Sequence, residues 1–541
     1  MSNVELVLGL LAVVAALAAV GKRVALPNPI VFALGGLILA LIPGIPNIAL
    51  PPDLVLVVFL PPLIYAAAQD TSWAEVRQNA RPILFLAVGL VLATIGVVAV
   101  VFHAIVPHLS WGVAFTLGAI ISPPDPIAAK AVADTLHLPR RVVAVLEDEG
   151  LFNDATALVA FGIASELVMT HGDFRWGASL LRFGYSSLVA IAIGLAIGWV
   201  GRRVLRQVGD PGAENTVTLL LPFAAYLPAE HVHASGVLAV LTLALYGSYI
   251  GVSAMSPSGR QAGWALWGMV DFLLTGLSFV LIGLQLRSVV AGLKDPPLVV
   301  VGVTAAVCLA VVVVRPLWVF ATAWLFKRTQ QALFPSSDMP HPQPSALAVV
   351  GWAGMRGVVS LAIALSLSDG RNGEPEFPGR DLIIFVTFAV ILVTLLGQGL
   401  TLPLLIRRLG LTASEASEDR DVLTTQLHIL QTALAHLDDL GDEAHCAPGA
   451  VERVKQFYET RVERLQQQCS QFVEDGEELS EESQVFAGTQ ELLQRLLKLE
   501  QKELFRLQRS GDIAPEARRR IQHNLDDMRV LALREGRRGT G

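Results

Sequence analysis

Two short stretches put ionisable side chains where an apolar sequence should not tolerate them. Ile121-Ser122-Pro123-Pro124-Asp125-Pro126 sets three prolines and a carboxylate in the middle of about two dozen mostly apolar residues. Glu147-Asp148-Glu149-Gly150-Leu151-Phe152-Asn153-Asp154 then runs straight into the apolar Ala155–Phe161. Proline removes a backbone donor and clashes with the preceding turn, so no helix passes through Pro123–Pro126 unbroken. At membrane depth the freed backbone groups survive only where protein or a watery cavity satisfies them. An acid at the bilayer centre costs roughly 2.5–3.5 kcal/mol on insertion scales. Carboxylates beside a broken helix therefore read as a cation site.

Spacing separates the acids. Glu149 and Asn153 are four apart and share a helix face, while Asp154 is turned about 100° from Asn153. Glu147 and Asp148 read as the acids that cap a helix start, where the dipole favours them. Asp154 has apolar residues after it and no local base. Burial favours the protonated form of a carboxylate and a bound cation favours the ionised form, so one acid can trade H⁺ for a metal ion. Arg315, in Val311-Val312-Val313-Val314-Arg315-Pro316, is a cation deep in an apolar run, and Glu149 is its expected partner. Arg356 lies in Gly351-Trp352-Ala353-Gly354-Met355-Arg356-Gly357, a glycine-rich stretch that reads as a second interruption. Glu166, Glu230, His231, His233 and Asp271 fall near the ends of apolar segments and read as interfacial.

The elements that must hold these groups are membrane helices. Of 541 residues, 53% are hydrophobic and only 16% charged. Apolar segments of spanning length fall at about 4–21, 26–43, 53–69, 81–106, 111–136, 141–168, 177–200, 214–231, 235–253, 264–286, 297–326, 346–368 and 381–405, which predicts about thirteen spans. The first has Glu5 before it and Lys22 and Arg23 after it, the reverse of a signal peptide. Lys22, Arg23, Arg77, Arg81, Lys130, Arg140, Arg141, Arg202, Arg203, Arg206, Arg260, Lys327, Arg328, Arg407 and Arg408 belong to one set of loops. The alternate set has only Arg175, Arg287, Lys294, Arg371 and Arg380. The positive-inside rule then puts the N-terminus outside and the C-terminus in the cytoplasm.

After Leu409 the composition turns polar, and the acid behind the net charge of −7 is concentrated there. The boundary predicts a transmembrane domain over 1–409 and a helical tail over 410–541. Leu423, Leu427, Leu430, Leu434 and Leu437 form a helical seam, continued by Val451–Leu465 and by the leucines of 492–499. Cys308, Cys446 and Cys469 have no metal or disulfide spacing, and His445-Cys446 lacks partner ligands. No His-Glu-x-x-His zinc site is present, and no Gly-Asp pair of the intramembrane-protease type, which argues against those enzymes.

Six ordered motifs carry a family resemblance: Phe59-Leu60-Pro61-Pro62-Leu63-Ile64-Tyr65, Ser122-Pro123-Pro124-Asp125, Glu149-Gly150-Leu151-Phe152-Asn153-Asp154, Ser235-Gly236-Val237-Leu238-Ala239-Val240, Phe279-Val280-Leu281-Ile282-Gly283-Leu284 and Gly354-Met355-Arg356-Gly357-Val358-Val359-Ser360. Over roughly residues 1–410 the chain resembles the sodium/proton exchangers of the first monovalent cation:proton antiporter family, in its long bacterial form with a cytoplasmic tail. The resemblance implies an all-α membrane protein of thirteen transmembrane helices in two inverted six-helix repeats with crossed broken helices, assembled as a homodimer in a bacterial plasma membrane. It implies a transporter and not an enzyme, needing no cofactor and no nucleic acid, whose partners are lipids, H⁺ and Na⁺, Li⁺ or K⁺. By the same resemblance Asp154 is the cation and proton carrier, with Asn153 before it and Asp125 on the break. Glu149 and Arg315 are the structural ion pair, and Arg356 is the charge of the second broken helix. Asparagine at 153 resembles the electroneutral members, one cation for one proton. A K⁺-preferring or electrogenic exchanger, a channel, and a membrane-anchored sensor working through its tail are the alternatives. Pro124, Gly150 and Ala66 depart from the threonine, serine and glutamate that many members have there.

Overall fold

The computed structural model describes residues 3–24, 26–43, 54–69, 71, 76–77, 80–136, 138–169, 176–250, 254–293, 295–333, 343–370, 375–411, 415–438 and 448–471. Among them the regular structure is helical and no strand occurs. The leucines of 492–499, the His445-Cys446 pair, Arg175, Lys294 and Arg371 lie outside the described residues. The chain divides into two compact units, Met1–Thr412 and Ala413–Gly541.

The first unit opens with α1 (Asn3–Val24) and α2 (Asn28–Leu41), followed by a π-wound turn, Leu54–Phe59, that leads into α3 (Leu60–Gln69). Next come α4 (Ala80–Ile105), the half-helices α5 (Trp111–Ile121) and α6 (Pro126–Thr135), and α7 (Arg140–Met169). Then follow α8 (Trp176–Val208), α9 (Pro211–His231), α10 (Gly236–Ile250) and α11 (Pro257–Leu284). A short α12 (Leu286–Ala291) leads to α13 (Pro297–Leu333), the second pair of half-helices, α14 (Pro344–Trp352) and α15 (Val358–Leu365), and α16 (Arg380–Leu409). Each apolar segment of the sequence falls on one helix or on one broken pair. Among the described residues, seven helices are long and apolar enough to cross a membrane by length and composition alone.

The apolar faces bury into two main clusters. The larger gathers α2, α4–α7, α11 and α13–α16, with Phe32, Phe102, Leu117, Ile120, Phe279, Leu361 and Phe388 at its centre. The second joins α3, α8, α9 and α10 through Leu60, Tyr65, Ala190, Tyr226 and Val240, with Trp267 of α11 packed on Tyr65 at a ring separation of 4.9 Å. Small residues allow the closest crossings, as expected where lipid offers no hydrophobic drive. A methyl group added at Gly36 would run into the carbonyl of Val280, and one at Gly283 into the backbone of α2, so α2 and α11 meet main chain to main chain.

Both interruptions follow from local chemistry. Pro123, Pro124 and Pro126 cannot donate to the preceding turn. Ser122 closes α5 by bonding the carbonyl of Ala119 at 3.0 Å. Asp125 caps α6, its Oδ1 accepting from the Ile127 amide at 3.0 Å, with Pro126 at the first helical position. The second break spans 353–357, after Ala353 leaves the helical region and before α15 starts at Val358.

The second unit contains α17 (Glu415–Ala435) and α18 (Pro448–Gln471), which pack on each other. Leu423 and Leu430 of the leucine seam are buried, and Leu427, Leu434 and Leu437 half-buried.

Candidate cation site

The two breaks meet and are bonded to each other. The Asp125 amide donates to the Met355 carbonyl at 2.7 Å, joining the first interruption to the second through main chain. Beside this junction lies a cavity of about 700 Å³, its open mouth included. Pro123–Ile127, Gly150, Leu151 and Asp154 form one side of it, Gly357–Ser360 another, and α3 with Thr275, Ser278 and Phe279 of α11 the rest. Asp125 and Asp154 both line it, are half-buried, and lie within electrostatic reach of each other.

The period of α7 assigns each polar group of the acidic stretch to a different task. Gly150 and Asp154, four apart, face the cavity. Glu149 and Asn153, also four apart, are fully buried and absent from the cavity wall. Asn153 donates through Nδ2 to the Pro124 carbonyl at 2.8 Å, satisfying a backbone group that the proline run leaves free. Glu149 takes both ends of the Arg315 guanidinium, at 2.6 and 2.7 Å, with the two side chains 1% and 2% exposed. The third Arg315 donor, Nε, reaches the Val350 carbonyl in the last turn of α14 at 2.9 Å. Arg315 therefore neutralises a carboxylate and also meets the negative end of a half-helix.

Arg356 sits inside the second break, 2% exposed. Its amide donates to the Thr394 hydroxyl at 3.1 Å, and its Nε and Nη1 form no hydrogen bond. Its charge is felt by Glu149 and Arg315, which places a positive group beside the junction without putting it in the cavity wall. Gly357, the next residue, makes room for Asp125, because a methyl group there would overlap the Asp125 carboxylate. Gly150 does the same for Pro126, whose ring occupies the space of any larger side chain. Among the described residues no group of three or more His, Cys, Asp or Glu side chains is arranged to hold a metal ion, so a cation in this cavity draws on carboxylates, hydroxyls and carbonyls.

Two readings of the sequence change. Glu147 and Asp148 do not cap a helix start, because α7 begins at Arg140, two turns earlier. Glu147 instead pairs with Lys130 of α6 at 2.7 Å, and Asp148 is buried. Asp271 is no interfacial acid, since it lies within electrostatic reach of Asp125 and accepts from Thr275. The α11 wall of the cavity was missed altogether. The signal was present in Asp271, Thr275 and Ser278, spaced by four and three on one face of an otherwise apolar helix.

A helical membrane protein in which two interrupted helices meet beside an acid-lined cavity has the architecture of a secondary ion transporter. The family model described as sodium/hydrogen exchanger, transmembrane, matches residues 9–408, and the chain belongs to that family. It is 34% identical over 470 residues to the uncharacterized Na(+)/H(+) exchanger Rv2287 of Mycobacterium tuberculosis, covering 84% of this chain and 85% of that one. It is 32% identical to the sodium, potassium, lithium and rubidium/H(+) antiporter of Bacillus pumilus, over 74% of this chain and 60% of the other. The Na(+)/H(+) antiporter ApNhaP of Aphanothece halophytica is 30% identical, over 76% and 75%. The sodium proton antiporter MjNhaP1 of Methanocaldococcus jannaschii shares the fold with a TM-score of 0.57 at 19% identity, covering 75% of this chain and 98% of that one. The protein is thus a multi-pass membrane transporter that exchanges Na⁺ for H⁺, and not an enzyme.

Proposed function

We propose that exchange runs through Asp154, which holds either a cation or a proton. The observation behind this reading is the shared cavity, in which Asp154 and Asp125 face one space beside the joined breaks. Asp125, fixed by its amide to Met355 and by Oδ1 to Ile127, contributes a second carboxylate to the cation. Asn153 positions the break by holding the Pro124 carbonyl. The Glu149–Arg315 pair and Arg356 keep the surroundings of the junction electrically balanced, so that only the occupant of the carrier changes.

One exchanging carboxylate and a neutral Asn153 support electroneutral exchange, one cation for one proton. Na⁺ is the principal cation. Li⁺ and K⁺ are further candidates, in keeping with the sodium, potassium, lithium and rubidium/H(+) antiporter of Bacillus pumilus. The transport chemistry belongs to residues 1–409, and 410–541 form a separate helical tail in the cytoplasm. The chain works as a homodimer with its N-terminus outside a bacterial plasma membrane, its membrane part built from two inverted six-helix repeats.

In everted membrane vesicles the Asp154→Asn variant should collapse no pH gradient on addition of NaCl, at an expression level equal to the wild type. Normal exchange by that variant would refute the assignment.

A further inference from the structure

The cavity wall includes the two carboxylates and, from α11, the hydroxyls of Thr275 and Ser278. Ser278 is 1% exposed, lines the cavity with Asp125 and Asp154, and its Oγ forms no hydrogen bond. That is not how hydroxyls elsewhere in this fold behave. Thr94, Thr116, Thr242, Thr322 and Thr394 each donate to the carbonyl one turn back on their own helix, at 2.7–2.8 Å, the usual way an apolar helix absorbs a hydroxyl. Thr304 and Thr387 also lack a partner, but neither lines the cavity. Thr275, one turn before Ser278 on the same wall, is engaged with Asp271 at 3.5 Å. Ser278 therefore keeps an uncommitted, enclosed oxygen in the wall that it shares with the two acids.

A buried hydroxyl without a partner is costly unless something else satisfies it. A hard cation demands several oxygen ligands. The cavity wall offers two carboxylates and no third acid, so the remaining ligands are neutral oxygens. Ser278 is a polar side chain of the wall that is buried and uncommitted, and Ser360 of α15, also buried, is the other serine of the wall. We propose that Ser278, on a helix separate from the two broken ones, supplies a neutral oxygen ligand to the transported cation and thereby helps set which alkali ion is preferred. This rests on the reading of the cavity as the cation site. A ligand held on a separate helix fixes the width of the site, so its loss weakens binding and alters discrimination by ion size, without removing the acid that carries the charge.

The test uses the full-length protein in everted vesicles, with exchange followed while NaCl, LiCl or KCl is varied. Ser278→Ala should raise the apparent KM for Na⁺ about tenfold, leave the maximal rate near the wild-type value, and shift the ratio of KM values between the ions. Ser278→Cys, close in volume but poor in affinity for alkali ions, should reproduce the effect, and Ser278→Thr should restore the Na⁺ KM to within about threefold. In detergent, the Na⁺ concentration giving half-maximal thermal protection should rise by the same factor in Ser278→Ala. KM values and ion ratios within about twofold of wild type would overturn the proposal. So would an equal fall in maximal rate for every ion with no rescue by threonine, which would assign Ser278 to helix packing. Asp154→Asn in the same vesicles separates the two claims. If it is inactive while Ser278→Ala is unchanged, only the Ser278 proposal fails; if it exchanges normally, the carrier assignment fails.

Discussion

Removing Glu149 alone should do more harm than removing Glu149 and Arg315 together. The pair is almost fully buried, bidentate at 2.6 and 2.7 Å, and has no water to fall back on. Glu149→Leu leaves a buried guanidinium with two unsatisfied donors, and Arg315→Met leaves a buried carboxylate. Breaking one side of such a pair costs about 3–5 kcal/mol. The double variant removes both charges of the pair together. Its residual loss is the Nε bond to the Val350 carbonyl, about 1–3 kcal/mol for an unsatisfied group. Extrapolating the size dependence of melting to a domain this large gives roughly 1–2 °C per kcal/mol. Each single variant should then melt about 3–10 °C below the wild type, and the double variant above both singles. The assay is the temperature at which detergent-solubilised protein loses its monodisperse elution peak. A double variant that falls by the sum of the two single shifts would show the residues to be energetically independent, and the balancing role given to the pair would be wrong.

Two further outcomes follow from the cavity. Gly150→Val should cut exchange more than tenfold while the protein still inserts, because the new side chain displaces Pro126 and with it the cap on α6; wild-type exchange would mean that the close approach does not matter to transport. If Na⁺ and H⁺ compete for one carboxylate, lowering the pH in the acid range should raise the apparent KM for Na⁺ toward tenfold per pH unit and leave the rate at saturating Na⁺ unchanged, whereas a fixed KM with a falling maximal rate would point to a separate proton site.

The spans were legible because length and apolarity are one-dimensional properties, and the first break because proline forbids a helix whatever surrounds it. The second break was legible in the glycines before Arg356. What the sequence hides is which face of an all-apolar helix meets the cavity. In α11 the polar stripe Asp271–Thr275–Ser278 is short, and its first member looked interfacial. Glu147 and Asp148 were misplaced although the apolar segment 141–168 already puts the start of α7 two turns before them. Gly150 shows the same limit from the other side. From the sequence it is only a missing ligand, whereas the fold shows it as the space that lets Pro126 pack against α7. The π-wound turns at Leu54–Phe59, Phe85–Leu90 and Val393–Gln398 carry no sequence mark at all.

The bond from the Asp125 amide to the Met355 carbonyl uses no side chain. Substitutions can therefore alter the ligands on either strand of the junction and leave that stitch in place, with proline at 125 the one replacement that deletes its donor. Side chains around the cavity can then change while the two interrupted helices stay tied to each other.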